Sequence, residues 1–323
     1  MARQGMDAVV AAEDRAAPSR RPPERDTAGT AEASEAMTTT KEPDGPTALR
    51  MVLGAQLRRL REAGGVSRSE AARAIRATES KISRLELGRS GFKQRDVADL
   101  LTLFGVASAD ERENLLALAR RASMPGWWQQ YSDVIPSWLE LYVGLEEDAS
   151  MIRTYEVQFI HGLLQTADYT RAVIGLRHGE DEHDEIERRV QLRLRRQRIL
   201  SRRTPRLWAV IDEAALRRPL GGREVMRAQL RHLIEVTDLP TVTLQIVPFH
   251  VGGHPAAGGA FTVLRFAHPE ILDMVYLEQV NSALYLDKRS EVENYKQIMN
   301  ELCVLAAPPG ETCDILNGIL RDL

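Results

Sequence analysis

The amino-acid sequence predicts an α+β fold: an all-α domain of five short helices, then a mixed α/β domain built around a small sheet. Apolar residues recur at helical spacing between helix-capping residues across residues 47–122. Runs that alternate apolar and polar residues, as strands do, follow after about residue 150. The length of 323 residues favours roughly two domains, because a domain typically spans about 100–200 residues.

The composition is that of an ordinary soluble globular protein, with 43% hydrophobic and 28% charged residues. No apolar run approaches the roughly 20 residues that a membrane span needs, and the N-terminus lacks the apolar core of a signal peptide. Cys303 and Cys313 are the two cysteines and do not form a CxxC pair, so we expect neither a disulfide framework nor a zinc site. These features predict a cytoplasmic protein with no membrane partner.

Residues 1–46 are rich in Ala, Pro, Thr, Ser, Glu and Arg and poor in large apolar residues. Such a segment cannot bury enough surface to offset its ordering entropy, so we predict a disordered N-terminal tail. Met37 and Met51 are in-frame alternatives for the first residue.

Five helices are predicted over residues 47–122, and each is bounded by residues that favour helix ends. In chain order these signals are Gly64-Gly65 after the first helix, the capping box from Ser67 to Glu70 before the second, Thr78 before and Gly88 after the third (residues 78–87), Gly105 after the fourth, and the capping box from Ser108 to Glu111 before the fifth.

Residues 123–150 form a predicted aromatic connector, since Pro125-Gly126 and Ile135-Pro136 disfavour helix. The predicted α/β domain spans residues 151–323, as a regulatory or partner-binding domain. Its predicted strands are residues 207–211, 242–247, 260–266 and 274–280, with 284–286 as a further pairing segment, and its predicted helices are residues 182–201, 224–236, 291–305 and 313–320.

The second and third helices have the pattern of a helix-turn-helix. Small residues from Ala71 to Ile75 allow two helices to approach closely, and Arg76-Ala77 forms the turn. Ile82 and Leu85 then hold the third helix against the second. The alternative is a helical bundle whose charged face is merely solvated.

If Ile82 and Leu85 face inward, the outer face of the third helix carries four polar residues that a major groove would meet. We therefore predict DNA base contacts by Glu79, Ser80, Ser83 and Arg84. Predicted DNA phosphate contacts are Ser67, Arg68, Lys81, Arg89 and Lys93. The net charge of −3 does not oppose this, because residues 50–90 contain ten Lys or Arg against four Glu.

Residues 53–105, and above all the run SRSEAARAIRATESKISRLELGR, resemble the helix-turn-helix of the phage-repressor-like (XRE) family. The resemblance implies that the first residues of the third helix read bases. It also implies a phosphate contact at Arg68, where the family usually has a Gln.

The runs GWWQQYSDVIPSWLELYVGLEEDASMIRTYE, GLLQTADYTRAVI, DEAALRRPLGG and TLQIVPF are similar to the C-terminal domain of actinobacterial antitoxin-like regulators. This resemblance implies a small partner protein encoded by a neighbouring gene. Ile160-His161 departs from the Val-Pro that the family usually has before Gly162. The family's C-terminal domain has no established chemistry to transfer.

Four other groups of residues have a functional interpretation beside a structural one. Acidic residues and histidines at 178–184 suggest a metal site or a helix start. The arginines at 188–203 suggest a second DNA contact or a charged helix face. His250, His254 and His268 suggest a ligand pocket or exposed loops. The aromatic residues of the connector suggest a partner surface or interdomain packing, and they are Trp127, Trp128, Tyr131 and Trp138.

We predict no catalytic, cofactor or metal residue, because no GxSxG, Walker loop, HExxH or GxGxxG is present. The sequence predicts a DNA-binding transcriptional regulator that binds double-stranded DNA as a homodimer, on half-sites about one DNA turn apart. A C-terminal sensing or assembly domain would control it. One alternative is an antitoxin-like protein that acts mainly through its small partner; another is an enzyme carried by the α/β domain.

Overall fold

The computed structural model describes residues 45–177, 183–256 and 258–323, and its fold is α+β as predicted. A helical region precedes a domain in which helices surround a six-stranded mixed sheet. Almost all of the predicted N-terminal tail lies outside the described residues. So do His178, Glu180, Asp181 and Glu182 of the candidate metal cluster.

Five helices form the N-terminal part, here called the head. Their bounds are α1 Pro46–Ala63, α2 Arg68–Ala74, α3 Glu79–Glu86, α4 Gln94–Leu103 and α5 Ala109–Ala122. Ser67 makes the predicted capping box with Glu70, and the side chains of Thr78 and Ser108 accept hydrogen bonds at the starts of α3 and α5. Side-chain caps thus satisfy orphan N–H groups of α2, α3 and α5.

The core of the head holds α3 against α1 and α2. Leu53 and Ala71 are fully buried, and Ile82 and Leu85 of α3 pack with them. Gly54 permits a close helix approach, because a Cβ at this position would collide with the carbonyl oxygen of Leu85. The turn before α3 contains Arg76 at φ 53°, in a left-handed conformation that non-glycine residues adopt at a cost.

The segment predicted as a connector is mostly helical. A short 3-10 helix at Trp127–Tyr131 precedes α6, Ser137–Asp148. Asp148 accepts the backbone N–H groups of Gly45 and Ala48 at the start of α1, at 3.0 and 3.2 Å. An acidic side chain is thereby placed at a helix N-terminus, where the macrodipole stabilises it.

The sheet has the order β3-β2-β1-β4-β5-β6. The strands are β1 Met151–Glu156, β2 Arg206–Asp212, β3 Val242–Val247, β4 Phe261–Arg265, β5 Met274–Glu278 and β6 Ala283–Leu286. Strand β2 pairs in parallel with β1 and β3. The pairs β1–β4, β4–β5 and β5–β6 are antiparallel. The central strand β1 was not predicted from the sequence.

Helices cover both faces of this sheet, and together with it they are here called the sheet domain. They are α7 Ala167–Gly175, α8 His183–Gln197, α9 Glu213–Arg217, α10 Arg223–Val236, α11 Arg289–Leu305 and α12 Thr312–Asp322. Ile152, Leu207 and Ile211 belong to the core on one face. Val210 and Val263 belong to the core on the other face, which includes Met299 and Leu302 of α11.

The head and the sheet domain belong to one compact unit and are in direct contact. Ala48 and Val52 of α1 pack with Ile271, which lies between β4 and β5. Arg59 Nη1 lies 2.9 Å from Glu270 Oε1, and Gln56 donates to the other oxygen of that carboxylate at 3.1 Å. Apolar packing and charged hydrogen bonds together therefore join the two parts.

Candidate nucleic-acid interface

The outer face of α3 carries the four predicted base-contacting residues. Glu79, Ser80 and Arg84 are exposed and Ser83 is half-buried, whereas Ile82 and Leu85 are almost completely buried. None of the four outer side chains forms a hydrogen bond or an ion pair with another described residue. Their donors and acceptors thus point away from the core of the head, with Glu79 and Ser80 in the first turn of α3 and Arg84 in its last turn.

Two of the predicted phosphate contacts lie at exposed helix starts. Ser67 is the N-cap of α2, and its hydroxyl also donates to Glu70 Oε2 at 2.7 Å. Lys93 is the N-cap residue of α4 and forms no ion pair within the described part of the chain. The capping box therefore employs the Ser67 hydroxyl, while the Lys93 ammonium is free for a phosphate.

Two further predicted phosphate contacts are engaged inside the head. Arg68 Nε lies 3.2 Å from Glu86 Oε2, and Lys81 Nζ lies 3.1 Å from Asp96 Oδ2. Glu86 is buried and also pairs with Arg61, whose pKa this hydrogen bond raises. Arg68 and Lys81 therefore link α3 to its neighbours, a role that the sequence analysis did not assign to them.

The fifth predicted phosphate contact, Arg89, reaches the sheet domain. Its Nη2 atom lies 2.6 Å from Asp287 Oδ2 and 3.4 Å from the carbonyl oxygen of Tyr285 on β6. Arg89 follows the C-terminus of α3 by three residues. The same guanidinium that is predicted to bind DNA is thus in contact with the domain that is predicted to regulate binding.

Two exposed cations next to α3 were missed by the sequence analysis. Arg73 and Arg76 lie in α2 and in the turn before α3, and neither has an ion-pair partner among the residues described. The feature of the sequence that could have identified them is their position in the basic run 50–90, immediately before the third helix. They add positive charge beside the N-terminal end of α3.

The three loop histidines do not converge on one pocket. His250 is exposed, and His268 Nδ1 accepts the N–H of Glu270 at 3.3 Å. His254 lies at the ends of β1 and β2, where its Nε2 is 3.0 Å from the hydroxyl of Tyr155, and that hydroxyl donates to Asp212 at 3.3 Å. This cluster holds the loop after β3 against the sheet.

The aromatic residues of the predicted connector pack within the protein. Trp128 is buried, and the ring nitrogen of Trp127 donates to Glu147 Oε2 at 2.9 Å. The Arg195 guanidinium lies over the Trp127 ring, 4.8 Å from its centroid. These contacts favour the interpretation as internal packing.

The arginines around α8 pair with acids from other elements. Arg188 pairs with Asp133, and Arg196 pairs with Glu146. Both acids lie outside α8, whereas Arg189 pairs with Glu185 in its own helix. Part of the basic run is therefore neutralised by elements that meet it in space.

The described residues contain no group of three or more His, Cys, Asp or Glu side chains placed to hold a metal ion. Among the helices described here, none is both long and apolar enough to cross a bilayer.

The comparisons with known proteins assign both parts of the chain. Residues 52–115 match the family described as a helix-turn-helix domain, which covers α1 from residue 52 onward, α2 to α4 and the first half of α5. That domain makes the head a DNA-binding module of the kind found in regulators. Neither a curated protein nor a solved structure matches the chain. Residues 139–318, more than half of its length, match the family described as a domain of unknown function (DUF5753), and the chain belongs to that family.

Proposed function

We propose that the protein is a sequence-specific transcriptional regulator that inserts α3 into the major groove of double-stranded DNA. The observation that supports this most is the outer face of α3. Its four predicted base-contacting side chains are unpaired among the described residues and three of them are exposed, while Ile82 and Leu85 hold the helix from its buried face. A helix that is held by its apolar face and presents unpaired donors and acceptors along its outer face is suited to base readout.

Each base-contacting residue has a chemical role in the proposal. Arg84 donates two N–H bonds to the O6 and N7 atoms of a guanine, and Glu79 accepts from the N4 amine of a cytosine. Ser80 and Ser83 have hydroxyls that donate or accept, so they adapt to several bases. Arg68, Lys81, Arg89 and Lys93 supply the phosphate contacts that give affinity and salt dependence.

The test is replacement of Arg84 by Ala, with binding measured against the protein's own promoter DNA. We expect specific binding to weaken by about 1–3 kcal/mol and the preference for one base to relax. The matched control is Arg231→Ala, which removes an exposed arginine of α10 that has no partner among the described residues. An Arg84→Ala protein with unchanged affinity and unchanged base preference would refute the assignment of α3.

We also propose that the sheet domain acts on DNA binding through its contact with the head. Arg89 is both a proposed phosphate ligand and the partner of Asp287, so the strength of the Asp287 contact affects how freely Arg89 reaches DNA. Through this contact, the sheet domain would carry out the sensing or assembly role predicted for it. The homodimer and the antitoxin-like alternative with a small partner protein stay predictions; co-purification with the product of the neighbouring gene is the test of the latter.

A further inference from the structure

Helix α8 directs two arginines, Arg193 and Arg196, toward the interior of the sheet domain, and their partners differ. Arg196 donates from Nε and Nη2 to the two oxygens of Glu146, both at 2.8 Å, and both side chains are buried. Arg193 donates from Nη1 to the amide oxygen of Gln165 at 2.8 Å and forms no ion pair with any described carboxylate. Its guanidinium, with five N–H donors, therefore retains donors for a ligand.

Gln165 is fixed so that its oxygen faces Arg193. The amide nitrogen of Gln165 donates to the carbonyl oxygen of Ile160 at 2.6 Å, and its oxygen also accepts the hydroxyl of Thr170 at 3.1 Å. The orientation of the amide follows from these bonds, and Gln165 in turn orients Arg193 without neutralising it. The arrangement pre-organises a positive charge.

Two carboxylates interact with the charge of Arg193 from the ends of strands. Glu156 is the last residue of β1 and Glu278 the last residue of β5. Because β4 is antiparallel to both strands, β1 and β5 end at the same edge of the sheet. The carboxyl ends of strands in α/β sheets are where ligands bind.

Neither carboxylate is neutralised by a cation of the described chain. Glu156 Oε1 accepts the Thr154 hydroxyl at 3.2 Å, and Glu278 Oε2 accepts the Tyr276 hydroxyl at 3.1 Å. The charges of both carboxylates act on Arg193, and they act on each other. The Arg193 guanidinium and the two carboxyl groups therefore interact electrostatically, while each is hydrogen-bonded to a neutral partner.

The electrostatics of this group favour a ligand that carries both charges. Burial, with repulsion from Glu278, raises the pKa of Glu156 to about 8, while burial and then repulsion from Arg196 lower the pKa of Arg193 to about 10. A lone anion would be repelled by Glu278, and a lone cation would be repelled by Arg193. A molecule with a carboxylate and an ammonium group relieves both costs at once.

We propose that Arg193, Glu156 and Glu278 form a binding site for a small zwitterion of the α-amino-acid class. The ligand carboxylate accepts paired N–H bonds from Arg193, and the ligand ammonium donates to Glu156 and Glu278. Its side chain then sets which amino acid binds best.

The experiment is isothermal titration of the full chain with the common α-amino acids in turn, and with acetate and methylammonium as the separate halves of the ligand. We expect at least one amino acid to bind, and both halves to bind far more weakly. At neutral pH the ammonium should displace the proton of Glu156, so the measured heat should depend on the ionisation enthalpy of the buffer. Because no DNA is present, the result is independent of whether α3 reads bases.

The variant that tests the site is Arg193→Gln, for which we expect affinity for that amino acid to fall by about tenfold or more. Arg198→Gln is the matched control, since Arg198 is exposed just beyond α8 and unpaired among the residues described. If circular dichroism shows that the Arg193→Gln variant does not fold, the exposed Glu278 is replaced by Gln instead. The same loss of affinity is expected for that variant. The proposal is overturned if no amino acid binds the wild type, if acetate binds as tightly as any amino acid, if binding releases no proton, or if the variant binds unchanged.

Discussion

Helices α3 and α8 carry similar charged residues and present them in opposite directions. The Arg84 and Glu79 side chains of α3 are exposed, and the helix is held by its apolar face. In α8, Arg196 is buried on Glu146, and Arg193 is half-buried and interacts electrostatically with the carboxyl groups at the ends of β1 and β5. An exposed charge needs no partner, whereas a buried charge requires a counter-charge or strong hydrogen bonds. The same residue types thus support DNA readout in one helix, and an ion pair and a proposed ligand site in the other.

The largest effect is expected where the buried ion pair of α8 is broken. Replacement of Glu146 by Gln leaves the Arg196 guanidinium buried without its counter-charge, so we expect the free energy of unfolding to fall by about 3–5 kcal/mol. Urea denaturation followed by circular dichroism measures this loss. Glu224→Gln is the control, because Glu224 pairs with Arg227 on the surface of α10, and its loss should be close to zero. Equal losses in the two variants would contradict the contrast between buried and exposed charge.

A smaller effect, dependent on pH, is expected at Glu156. The folded protein holds the proton of this carboxyl up to about pH 8, whereas the unfolded chain releases it near the ordinary value of 4.5. The contribution of this group to the free energy of unfolding is therefore fully present at a pH below 4.5, the ordinary pKa, and is lost as the pH rises toward 8. Thr154, Arg193 and Glu278 are the groups that act on it.

Replacement of Glu156 by Gln removes that loss, because the amide does not ionise. We expect the variant to gain about 4 kcal/mol relative to the wild type between about pH 5 and pH 9, measured by urea denaturation at each pH. A difference between variant and wild type that stays constant across this range would show that Glu156 titrates near its ordinary value.

The smallest effect is expected at the contact between the head and the sheet domain. Replacement of Asp287 by Asn removes the counter-charge of Arg89, so we expect DNA affinity to rise by about two- to fivefold and the salt dependence to steepen by about one phosphate contact. Fluorescence anisotropy at several salt concentrations measures both. Asp238→Asn makes the same change of net charge at an exposed position. If Asp238→Asn raises the DNA affinity as much as Asp287→Asn does, the increase comes from the change of net charge and not from the release of Arg89.

The parts of the fold that were predicted correctly depend on local signals. Thr78 caps α3 and Ser67 forms its capping box, because both interactions join residues three apart in sequence. Strand β1 was missed since it is central and helices cover both faces of the sheet, so MIRTYE lacks a clean alternation of buried and exposed residues. Helix α6 was missed because Tyr142, Val143 and Leu145 bury several of its sides and leave no single apolar stripe.

The sequence by itself determined the head: its helix ends, its helix-turn-helix and the outer face of α3 all follow from residues within a few positions of one another. Tertiary structure alone decided that Arg89 meets Asp287, that Arg196 meets Glu146, and that Arg193 lies near the two strand-end carboxylates. These partners are separated by tens of residues or more along the chain. Their charges interact because the sheet order and the packing of α8 bring distant segments together, and no spacing in the sequence encodes that proximity.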